Sequence, residues 1–78
     1  MRLPMEGIEA RAMFANLLME KVRSDRYPSS QQMAILEQVL PPQLLPDYLE
    51  ILLEKVANDR WPSLQMLRRI QRVASSIR

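Results

Sequence analysis

The chain has 78 residues, 47% of them apolar, and eleven Lys or Arg against nine Asp or Glu give a formal charge of +2. That length allows one domain at most, and the composition belongs to a folded chain rather than a disordered one. Cys and His are absent and Gly occurs once, which excludes disulfides, thiol nucleophiles, His general bases, nearly every zinc site and a Gly-rich phosphate loop.

The first residues, Met-Arg-Leu-Pro-Met-Glu-Gly, hold no apolar core of a signal peptide. No apolar run approaches the ~18 residues that span a bilayer. A cytoplasmic protein without membrane contact is the expectation. Ile8, Phe14, Leu17, Leu18 and Val22 then recur at helical spacing. Ala12, Met13 and Met19 widen that apolar arc to roughly 200°, well beyond the ~100° that faces a single core. Asp25-Arg26-Tyr27-Pro28-Ser29 follows. Pro disfavours helical backbone in the residue before it, so this first helix ends by Tyr27. Ser29 suits an N-cap, with Gln32 placed to complete a capping box, and a second helix is predicted over about 30–40. Residues 40–46, Leu-Pro-Pro-Gln-Leu-Leu-Pro, form a stiff joint, and Pro46 fits the first turn of a third helix. That helix carries Tyr48, Ile51, Leu52 and Val56. After Asp59-Arg60-Trp61-Pro62-Ser63, Ser63 caps a fourth helix over about 64–77. No alternating β-branched run signals a strand.

Sliding the sequence by 34 residues lays 17–40 on 51–74 without a gap, and ten of 24 positions are identical. Among them are Glu20/Glu54, Lys21/Lys55, Asp25/Asp59, Arg26/Arg60, Pro28/Pro62 and Ser29/Ser63. Chance gives one or two such identities, so the chain reads as a tandem duplication. The period equals that of tetratricopeptide repeats, whose Trp…Leu-Gly…Tyr pattern is missing. Two copies are also too few for a free-standing solenoid. The predicted fold is all-α: one four-helix domain over 1–78, built from two duplicated helix-turn-helix hairpins (about 5–40 and 44–78) related by a pseudo-two-fold axis.

The turn residues Tyr27, Pro28, Ser29, Trp61, Pro62 and Ser63 read as structural, with both rings expected to plug the hairpins from inside. Glu50 and Glu54 share a helical face, but without His they read as a solvated pair rather than a metal or catalytic site. No enzyme activity, cofactor, metal or small-molecule substrate is expected.

In the fourth helix, Met66, Leu67, Ile70, Val73, Ala74 and Ile77 form one apolar face at about 100° per residue. Gln65, Arg68, Arg69 and Arg72 form the opposite one, and no acid follows Arg60. Arg and Gln on the second helix of a hairpin suit base edges or an acidic protein. The spacing of Ala57, Ser63, Leu67 and Ile70 resembles a helix-turn-helix unit, although Trp61 stands where such motifs place Gly. In the first copy Ala34, Ile35 and Gln38 replace the three Arg, leaving an apolar excess to which Ile8 and Met13 add. Such patches mark interfaces, most often with a second copy in a C2 dimer. The sequence therefore predicts a non-enzymatic protein–protein interaction module that forms a homodimer. The alternative is a DNA-binding protein that uses the basic fourth helix.

Overall fold

In a computed structural model of the chain, residues 7–77 are described, the side chain of Ile8 excepted. They form four α-helices, α1 (Gly7–Ser24), α2 (Ser30–Val39), α3 (Leu45–Ala57) and α4 (Leu64–Ser76), with a 3-10 turn at Pro42–Leu44. No strand occurs among the described residues. The chain divides into two compact units that meet between Pro41 and Pro42, inside the Pro-rich joint.

In the first unit α1 packs on α2. α1 ends at Ser24, as Tyr27-Pro28 requires, with the Asp25 N–H donating to Lys21 O and the Ser24 hydroxyl donating to Glu20 O. Ala15, Met19 and Val22, spaced i, i+4 and i+7, are out of water on α1. Met33, Leu36 and Leu40 are buried on α2 and at its end. Each large apolar side chain removed from water contributes about 1.5–3 kcal/mol. The guanidinium of Arg11 donates from Nε to Val39 O (3.0 Å) and from Nη2 to Gln38 O (3.4 Å). It thereby satisfies carbonyls that the end of α2 leaves without helical partners.

In the second unit α3 packs on α4 and on the 3-10 turn. Pro46 lies in the first turn of α3, where a missing N–H forfeits no helical bond. The buried residues are Tyr48, Ile51 and Leu52 from α3 with Val73 and Arg69 from α4. α3 stops at Ala57, and the Asn58 N–H closes it on Glu54 O.

The helix breaks fall where the Pro and Ser residues place them. Two expectations need correction. Tyr27 and Trp61 are not core plugs: they are 68% and 82% exposed. Each turn is closed by hydrogen bonds and by its proline, with Pro28 buried and Pro62 half-buried, so the ring is not needed inside. The apolar face expected on α4 is also split. Val73 is buried and Met66, Ile70 and Ile77 are half-buried, but Leu67 and Ala74 are exposed. The core of this unit lies nearer Arg69 and Val73 than Leu67.

Candidate functional site

Each unit presents an aromatic side chain on a turn braced in the same way. In the first, the Asp25 carboxylate accepts from the Tyr27 N–H (3.1 Å) and the Ser29 hydroxyl accepts from the Gln32 N–H (3.0 Å). In the second, the Asp59 carboxylate accepts from the Trp61 N–H (3.2 Å) and the Ser63 hydroxyl accepts from the Met66 N–H (3.0 Å). An Asp bonded two residues ahead fixes a tight turn, and a Ser N-cap starts the next helix. Between these braces Pro holds its own backbone torsion. The aromatic backbone is thus held while its ring projects into solvent. The cation of Arg26 lies over the Tyr27 ring, 5.5 Å from its centre, within reach of a cation–π attraction. Exposed Arg26 and Arg60 precede the two rings.

Of the candidate interface residues, Met13 and Ile35 are exposed and Ala34 is half-buried. The side chain of Ile8 lies outside the described residues. Phe14 and Leu17 extend the wet apolar surface of α1 beside Met13, on the side turned away from Ala15 and Val22. Leu53, Leu64 and Leu67 do the same in the second unit. The sequence places Phe14, Leu17 and Leu67 on apolar helix faces but marks none of the five as interface residues, although the ~200° apolar arc of the first helix signalled the excess. An open groove of about 690 Å3, lined by Leu17, Glu20, Lys21, Ser24, Asp25 and Gln32, runs beside the first turn.

The basic face of α4 is smaller than expected. Gln65, Arg68 and Arg72 are exposed and lie on one side of the helix. Arg69 leaves that face: only 8% of it is exposed. Its position is about 40° from Val73, so it turns inward. It is not without a partner, and no fully buried side-chain polar atom among the described residues lacks a hydrogen bond, as burial of a charged group requires. Glu50 and Glu54 are exposed. Among the described residues no group of three Asp or Glu could hold a metal ion, and no helix is long and apolar enough to cross a membrane. Comparison with protein-family models, curated proteins and solved structures finds no match.

Proposed function

We propose that this chain is a non-enzymatic helical protein–protein interaction module, built by tandem duplication of one helical hairpin and able to associate with itself. One observation carries the reading. Large apolar and aromatic side chains stand in water on rigid supports, above all Trp61 and Tyr27 on equivalently braced turns. Isolated exposed apolar residues are ordinary, but aromatic side chains held out by a fixed backbone are the usual anchors of protein interfaces. Exposed Arg beside each ring adds a second residue type enriched at such anchors. The fold gains little from either ring, and the same five-residue turn carries one in both copies.

Sedimentation equilibrium tests the self-association. The mass is expected to rise from 9.2 kDa toward twice that value as concentration increases. Ile35→Glu, on the exposed side of α2, is expected to oppose it. A strictly monomeric wild type at millimolar concentration refutes this part of the reading.

A second reading, binding to nucleic acid, is favoured by Gln65, Arg68 and Arg72 on one exposed face with Arg60 and Trp61 at the turn before it. With Arg69 turned inward, α4 neutralises about two phosphates per protomer, and a dimer binding duplex DNA has a log–log salt slope of about −4. Anisotropy with random duplex at low salt decides it: no binding at micromolar protein, by wild type or by Arg68→Ala/Arg72→Ala, leaves the protein-interaction reading alone.

A further inference from the structure

The wet side of α4 carries two kinds of side chain, each along its own edge. Leu64, Leu67, Gln71 and Ala74 are all exposed and follow one another at i, i+3, i+7 and i+10. That is the a and d spacing of a coiled-coil seam, and it runs nearly the length of the helix. Leu64 is 62% exposed and Leu67 is 42% exposed. On one side the stripe runs toward half-buried Ile70 and the core. On the other side stand the exposed cations Arg68 and Arg72, about 80° and 120° round the helix from the middle of the stripe. All of these residues belong to one helix of one hairpin.

The charge on that edge is uncompensated. No acid follows Asp59 in the sequence, and among the described residues neither Arg68 nor Arg72 is in an ion pair. This decides which occupant fits. A second copy of α4 laid on the stripe brings four such cations together and no acid to meet them, and like charges across a contact oppose it. A nucleic acid pairs its phosphates with the two cations but leaves the leucines without an apolar neighbour. An acidic amphipathic helix satisfies both edges: its apolar residues cover Leu64, Leu67 and Ala74, and its carboxylates meet Arg68 and Arg72. Gln71 in the seam costs affinity and fixes the register of the partner.

We propose that α4 docks an acidic amphipathic helix of another protein, with Leu64 and Leu67 as the apolar contact and Arg68 and Arg72 as the charge contact. The proposal rests on the protein-interaction reading above and names the chemistry of one partner. Self-association uses a different face.

The probe is a synthetic helical peptide with Leu along its seam and Glu beside it, whose Glu residues oppose pairing with itself. Its binding is followed by fluorescence anisotropy at low salt, with circular dichroism to verify that each variant keeps its helices. Wild type is expected to bind in the micromolar range. Arg68→Glu/Arg72→Glu and Leu64→Ser/Leu67→Ser are each expected to weaken binding at least about tenfold. The charge-reversed variant is also expected to bind the same peptide with Lys in place of Glu, which wild type rejects. No binding by wild type overturns the proposal, as does binding that survives either double substitution. Equal binding of a Glu-rich peptide without Leu, or tighter binding of duplex DNA at the same salt, assigns the edge to charge alone and also overturns it. Sedimentation of wild type separates the two levels. A chain that self-associates but ignores the peptide loses only the α4 surface, whereas one that does neither loses the interaction-module reading as well.

Discussion

Phe14 and Tyr48 lie 34 residues apart, each one turn before a Leu, Leu18 and Leu52. Tyr48 is fully buried, while Phe14 is 44% exposed. On the second helix of each hairpin, Ile35 is wet and Arg69 is buried. An aliphatic residue in water and a cation out of it, at matching positions, reverse what composition alone expects. The two hairpins thus keep different faces of their helices out of water. An apolar arc of about 200° supplies two faces, and one hairpin partner covers only one of them.

The comparison is broken most sharply at the aromatic pair. Tyr48→Ala is expected to lose about 3–5 kcal/mol in urea unfolding, the range for a buried aromatic, and Phe14→Ala less than about 1 kcal/mol. Equal losses would show that both hairpins use this position alike. Next is Arg69→Ala. It removes a side chain only 8% exposed together with the packing that it makes, and is expected to cost about 1–3 kcal/mol, against less than about 0.5 kcal/mol for Ile35→Ala, at a residue 46% exposed, in the monomer. The caps sharpen the comparison from the other side, because there the hairpins agree. Ser29→Ala and Ser63→Ala are each expected to cost about 1 kcal/mol, and a marked inequality would mean that one bond is not made in solution. The smallest effect belongs to Trp61→Ala, at less than about 0.5 kcal/mol. Native Trp61 fluorescence in the monomer is expected to be red-shifted and freely quenched, and a blue-shifted, protected spectrum would return the ring to the core.

Helices and their breaks were legible because Pro and Ser act locally. Pro28 and Pro62 stop the helix before them, and the Ser29 and Ser63 hydroxyls start the next one. The direction of Tyr27 and Trp61 was not legible. The same residues fit a ring folded inward or held outward, and the Asp25 and Asp59 bonds, which close the turns without the rings, have no periodic signature. The burial of Arg69 was hidden for a related reason. Its place on the wheel lies between the basic face and Val73, and only the packing of α3 on α4 settles its side. The wide arc of the first helix announced surplus apolar surface but not which part of it stays wet.

Single cysteines test the crossed burial most directly, because the natural chain contains none. Four variants suffice: Leu17→Cys, Ile51→Cys, Met19→Cys and Leu53→Cys, each labelled with a maleimide at a protein concentration below self-association. The account predicts fast labelling at 17 and 53 and slow labelling at 19 and 51, with rates at least about tenfold apart. Fast labelling at 17 and 51 together, or at 19 and 53 together, would mean that both hairpins bury the same arc and would contradict it.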